Sequence, residues 1–173
     1  DLTGGASAQV GPLLDLGVHP EGEGTATRAG GSSLTTGGIN VGHEGTGTLT
    51  LDGGSSMTST YARIALGNFG SVGTVEVKDA STWTIAQDLQ LVDGDGSLFI
   101  GPGAQVSCGQ TARVGFWSAL RGDMGTLKAS AVTVEGTVSG GTDVGGPGIL
   151  FIDGNYTHDT FGEYRVDLWG CEA

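Results

Sequence analysis

The sequence predicts an all-β fold, a single parallel β-solenoid (β-helix) of about six coils with a repeat of roughly 25 residues. Three observations carry that expectation. Leu16-Gly17, Val41-Gly42 and Leu66-Gly67 recur at one fixed step, and Leu91-Val92 keeps it. A second series runs through Gly24-Thr25, Gly47-Thr48, Gly73-Thr74, Gly96-Ser97, Gly125-Thr126 and Gly148-Ile149. A period in this range marks an architecture in which each repeat is one unit stacked on the next. Between these markers apolar and polar residues alternate with a period of two, and no stretch has the i, i+3, i+4 spacing of an amphipathic helix.

Each coil is expected to hold three short strands. The first follows the Gly-Thr marker and turns alternate residues inward: Ala26 and Arg28, a degenerate copy, then Leu49/Leu51, Val75/Val77, Leu98/Ile100, Leu127/Ala129 and Leu150/Ile152. The second contributes one dominant inward residue, Leu34, Met57, Trp83, Val106, Val132 or Tyr156. The third gives Leu14/Leu16, Ile39/Val41, Ile64/Leu66, Leu89/Leu91 and Ala112/Val114. Gly53-Gly54, Asp79-Ala80, Gly101-Pro102-Gly103 and Asp153-Gly154 read as the corners, because such clusters are strong turn signals. Residues 1–11, rich in Gly, Ala and Ser, read as a flexible or strand-donating arm. The solenoid then occupies 12–168, and 169–173 form a tail. The longer step from Gly96 to Gly125 places an enlarged loop at 116–124.

The 173 residues amount to one domain, and 35 of them are Gly, which suits a fold of repeated tight turns. The formal charge of −12 argues against nucleic-acid binding and against docking on anionic lipid. No apolar run approaches the roughly 18 residues of a membrane span, so no membrane insertion is expected. The chain starts at Asp1 and reads as a processed or excerpted mature chain. Cys108 falls on an inward slot. Cys171, near the end, is the candidate for linking subunits, and a bridge between the two would have to cross several coils.

Segments such as INVGHEGTGTLTLDGGSSMTS and IALGNFGSVGTVEVKDASTWTI resemble the Gly-Thr-rich repeats of autotransporter passenger domains. They are closer still to the repeat of some exosortase-sorted (PEP-CTERM) surface proteins. GGPGILFIDGNYTHDTFGEYRVDL is similar to the element that closes such arrays. Spanning roughly residues 12–168, the resemblance implies a right-handed coil and an extracellular or cell-surface location. It implies little about activity. The membrane barrel of an autotransporter and a hydrophobic sorting tail do not occur in this sequence.

No catalytic, cofactor or metal site is expected. The acidic residues lack the spacing of known calcium loops, the histidines His19, His43 and His158 belong to no zinc motif, and the basic residues are dispersed. His43, Asn68 and Asp93 are read as a polar ladder at one corner. Thr35, Thr58, Thr84, Ser107, Thr133 and Thr157 form a Thr/Ser ladder on the outward side of the second strands. Such a ladder stabilises neighbouring strands; the alternative reading is an ice-binding face. Asn155-Tyr156-Thr157 is a glycosylation sequon. The interface candidates are Phe116, Trp117, Leu120 and Met124 in the loop, with Phe161, Tyr164, Trp169 and Cys171 near the end. The function expected from this is structural and non-enzymatic, a secreted subunit stacking head to tail with itself in a filament, sheath or surface layer. The alternative is an adhesin-like module that binds glycans or a surface.

Overall fold

The computed structural model describes residues 1–67, 70–141, 148–160 and 162–165. Period-two alternation builds short strands, three to a rung. The first rung holds β1 (Ser7–Gln9), β2 (Leu13–Leu16) and β3 (Glu23–Arg28), and the second β4 (Ser33–Thr35), β5 (Gly38–Val41) and β6 (Thr46–Leu51). The third holds β7 (Ser56–Ser59), β8 (Tyr61–Ile64) and β9 (Val72–Val77), and the fourth β10 (Thr82–Ile85), β11 (Leu89–Leu91) and β12 (Asp95–Ile100). β13 (Gln105–Cys108), β14 (Thr111–Val114) and β15 (Ala119–Gly122) make the fifth. In the sixth, β16 (Gly125–Val134) runs through two faces before β17 (Thr137–Gly140). β18 (Leu150–His158) and β19 (Glu163–Arg165) lie beyond it.

These strands stack as a parallel β-solenoid of about six turns, with a coil spacing of about 23 residues and no helix among the described residues. One face is the sheet β3-β6-β9-β12-β15-β17-β19. The other sheet bends into two faces, β1-β4-β7-β10-β13 and β2-β5-β8-β11-β14, joined through β16, on which β18 lies. At about 4.8 Å per rung the stack is roughly 30 Å tall.

Register sets the core. On the second face Ala8, Leu34, Met57, Trp83, Val106, Leu127 and Ile152 stand one over another. On the third, Leu16, Val41, Ile64, Leu91 and Val114 do the same. All the members from Leu34 to Leu127 and from Leu16 to Val114 are buried in one continuous cluster. Trp83, the largest of the fully buried side chains, has its polar atom satisfied, because its Nε1 donates to Ser59 Oγ at 3.1 Å. A second buried column is polar. Ser32, Ser55 and Ser81 are each fully enclosed at the corner that leads from the first face to the second. Ser55 N donates to Ser81 Oγ at 3.1 Å, and the Ser55 hydroxyl donates to the Arg28 carbonyl. These serines add second hydrogen bonds to backbone groups already paired at the corner, where Ser55 N also donates to Asp52 O and the Arg28 carbonyl also accepts from Asp52 N. The turn that precedes Ser55 needs two successive left-handed residues, Gly53 (φ 59°) and Gly54 (φ 72°), a conformation open to glycine at little cost.

Four sequence-based expectations are corrected. Residues 1–11 belong to the stack, because Leu2 bridges to Arg28 and β1 pairs with β4 along Ser7–Gln9. Residues 116–124 are not one enlarged loop; they contain β15, whose Ala119 lies over Ser97 and Leu120 over Leu98. Gly125-Thr126 therefore does not continue the Gly-Thr series. It opens a strand of the second face, and Leu127 takes the column above Val106, while Val132 and Tyr156 move to the third face above Ala112. Leu66-Gly67 is likewise out of step, because Ile64, not Leu66, lies over Val41.

Arg28 occupies an inward slot under Leu51 and is only 3% exposed. Its Nη2 reaches the Ser33 carbonyl at 3.4 Å, Nη1 has no partner, and burial lowers its pKa. Uncompensated buried charge is costly. Replacing Arg28 with Leu is expected to complete the apolar column and raise stability by about 1–2 kcal/mol, read from urea denaturation followed by circular dichroism. A loss of stability would show that the guanidinium is stabilising where it lies.

Candidate binding surfaces

Corners are where this fold can display side chains without disturbing the ladders. At the corner between the third face and the first, successive rungs hand over through the same backbone bond: Gly42 N donates to Leu16 O, Ala65 N to Val41 O, Val92 N to Ile64 O and Gly115 N to Leu91 O. The fifth rung then makes a tight turn, with Ser118 N donating to Gly115 O at 2.9 Å. Phe116 and Trp117 are its two central residues, so their side chains project outward. Ser118 is buried again, and its carbonyl is taken by Thr137 N at 2.9 Å. The turn is thus pinned at both ends.

Phe116 is 53% and Trp117 60% exposed, and their rings meet edge to face with centroids 4.8 Å apart. They wall a groove of about 570 Å³ that runs along the axis past Leu66, Val92, Asp93, Arg113 and Glu135. Trp117 and Asp93 also border a second hollow of about 240 Å³ with Gly94 and Asp95. In the groove Arg113 Nη2 donates to both oxygens of Glu135 at 2.9 Å.

The other interface candidates separate from this pair. Leu120 is fully buried in the core and is withdrawn as an interface residue, because period-two alternation in β15 turns it inward over Leu98. Met124 is exposed but lies across the first face at the opposite corner, where its carbonyl accepts from Gly103 N. Tyr164 pairs by backbone with Val138 in the last rung. Phe161, Trp169 and Cys171 lie outside the described residues, as does Asn68 of the proposed polar ladder. His43 of that ladder contacts Asp15 instead, Nδ1 to Oδ2 at 2.9 Å.

The Thr/Ser ladder is shorter than expected. Thr35, Thr58, Thr84 and Ser107 do form one outward column, but its next members are Lys128 and Asp153. Thr133 and Thr157 stand on the third face above Arg113. A flat array of hydroxyls broken by two charges presents no extended regular surface. Asn155 of the sequon is exposed on β18.

The last described rung is the second candidate surface. Leu150, Ile152, Tyr156 and His158 line a concavity of about 480 Å³. Tyr156 is 40% exposed, although Val132, Ala112 and Leu89 beneath it in the same column are buried. Ile149 and Phe151 beside it are also about half exposed.

No three His, Cys, Asp or Glu side chains converge as metal ligands among the described residues. Comparisons with protein-family models, with curated proteins and with solved structures find no match to this chain.

Cys108 is free, buried beside Ile85 on the second face, and desolvation raises its thiol pKa. The nucleophile is the thiolate, so Cys108 is expected to be inert while the coil is closed. In a Cys171→Ser background, iodoacetamide at pH 8 should leave the folded protein unmodified and label it once in urea. Labelling of the folded chain at the rate of a free thiol would contradict this assignment.

Proposed function

We propose that this chain is a non-enzymatic structural element of an extracellular assembly, in which solenoid rods stack head to tail on one another. The observation that carries the reading is the exposure of Tyr156 in the last described rung. The inward residues of that rung continue the core columns, yet Tyr156 stands 40% exposed where Val132, Ala112 and Leu89 below it are enclosed. Because every pairing is parallel, the two ends of the stack differ, and the edge of β18 is complementary to the edges of β1 and β2 in another copy. Small and large side chains match as well. Stacking places Ile152 over Ala8 and Tyr156 over Leu14, so that the columns continue across the joint.

Such a contact is heterologous and propagates along the axis. Its strength is modest. Enclosing the exposed half of three or four apolar side chains contributes about 1 kcal/mol each, which is at the low end of the roughly 4–15 kcal/mol lost on association. Assembly should therefore depend on concentration, which suits subunits crowded on a surface. The low charged fraction, the net acidity and the resemblance to passenger-type and exosortase-sorted repeats support an extracellular or cell-surface setting.

Electron microscopy and sedimentation across a concentration series test this reading. The expected result is rods longer than one subunit, with an axial repeat near one stack height, and their loss in Tyr156→Lys without a change in melting temperature. A reductant series reads the part played by Cys171. A chain that remains monomeric up to its solubility limit would sink the proposal.

A further inference from the structure

We propose that the Phe116–Trp117 corner is a binding site for neutral polysaccharide, with the Trp117 ring as the stacking platform and Asp93, Arg113 and Glu135 as partners for sugar hydroxyls. It is independent of head-to-tail stacking, because the corner lies on the side of the rod, in the fifth rung, away from the terminal edges.

The aromatic pair needs an explanation that the fold does not supply. The equivalent corners of the rungs directly below and above carry Val92-Asp93 and Glu135-Gly136, so closing the coil does not require an aromatic residue. Leaving two large rings about half exposed forgoes part of the stabilisation that burying them would give. An exposed apolar patch with a polar rim marks an interaction site. The turn is also preorganised. Backbone bonds of 2.7 Å from Gly115 N, 2.9 Å from Ser118 N and 2.9 Å to the Ser118 carbonyl fix the platform before any ligand arrives, which lowers the ordering cost of binding.

The chemistry of the groove selects the ligand. A sugar ring has one face of C–H groups, which lies against an aromatic face, and a rim of hydroxyls that both donate and accept hydrogen bonds. Trp117 supplies the first contact. Asp93 and Glu135 offer acceptors. Both bonds from Arg113 to Glu135 use Nη2, and a guanidinium carries further N–H donors for sugar hydroxyls. The groove runs along the axis from the Leu66 rung to the Glu135 rung. At about 4.8 Å per rung that is roughly 14 Å, an open track for a chain rather than an enclosed cavity for a small molecule.

Charge excludes the competing polymers. The protein carries a formal charge of −12, and Asp93, Asp95 and Glu135 border the two hollows, with Arg113 already paired to one of them. Nucleic acids and acidic glycans would meet uncompensated repulsion. A cationic chain would be drawn by charge alone and released by salt.

The test is affinity electrophoresis in gels that contain soluble β-glucan, xyloglucan, mannan or dextran, with heparin and chitosan as charged controls. The protein is the full chain carrying Tyr156→Lys, which keeps it from stacking. At least one neutral polymer should retard it, with little change up to 0.5 M salt. Trp117→Ala should weaken that binding about tenfold or more at an unchanged melting temperature, since the side chain lies outside the core. Phe116→Ala should weaken it less. The proposal is overturned if no neutral polymer binds, if Trp117→Ala binds as well as its parent, or if heparin or chitosan is preferred and salt abolishes the interaction.

Discussion

The rung-to-rung register is the constraint on which everything else in this molecule depends. Each strand exchanges backbone hydrogen bonds only with the strands directly above and below it, so a residue's neighbours in space are its equivalents one coil away. A side chain of one kind at one slot therefore commits the slots above and below to a compatible kind. The Leu16, Val41, Ile64, Leu91, Val114 column and the enclosed serines Ser32, Ser55 and Ser81 are two solutions of the same condition, one apolar and one polar. Arg28 is where the condition is met worst, and it stands in the first rung, where the stack has fewest neighbours to offend.

That same condition decides what could be read from the sequence. Alternation within strands is a local signal and gave the fold class, the inward residues of the first four coils apart from Leu66, whose expected place beside Ile64 is taken by Ala62, and the buried position of Cys108. The phase of the later coils is not local. Gly125-Thr126 copies the marker of the first face, because its glycine answers the same constraint at a different corner: a Cβ there would run into the Ile100 carbonyl, as one at Gly73 would run into the Val41 carbonyl. The Leu66-Gly67 marker misleads similarly. Ala65 takes the left-handed position that glycine holds at Gly17 and Gly42, at φ 57°, and the step of the series slips by two residues. Left-handed alanine costs roughly 1 kcal/mol, and a closed ladder on both sides can impose it. Pattern matching that treats glycine as the corner therefore misses one that is not glycine. The mistaken phase is also what joined Leu120 and Met124 to the aromatic pair, since they adjoin it in sequence while β15 carries them to the core and to the far corner.

The candidate surfaces were legible in part for the opposite reason. Phe116-Trp117 breaks the composition of its surroundings, and a break in a repeat is visible without knowing the register. Its partners were not visible. Asp93, Arg113 and Glu135 come from three different rungs and meet only because successive corners stack. Any one of them reads in isolation as an ordinary surface charge.

A solenoid of this kind thus separates its tasks by position. Strand interiors are governed by their columns and leave little freedom for chemistry. Corners are freer, because a turn of two or three residues can change its side chains while its backbone bonds to the neighbouring rungs persist. Ends are the least determined, because each terminal strand has one satisfied edge. The two surfaces singled out here occupy a corner and an end, the two places where a substitution is not vetoed by the residue one coil away. Because the corner is pinned by bonds to the rungs on either side, an array of stacked rods would repeat the Phe116–Trp117 groove at a fixed axial interval. A weak contact with one sugar segment then becomes a strong contact with a long chain through effective concentration alone, which makes side-face recognition and end-to-end assembly cooperative rather than competing roles.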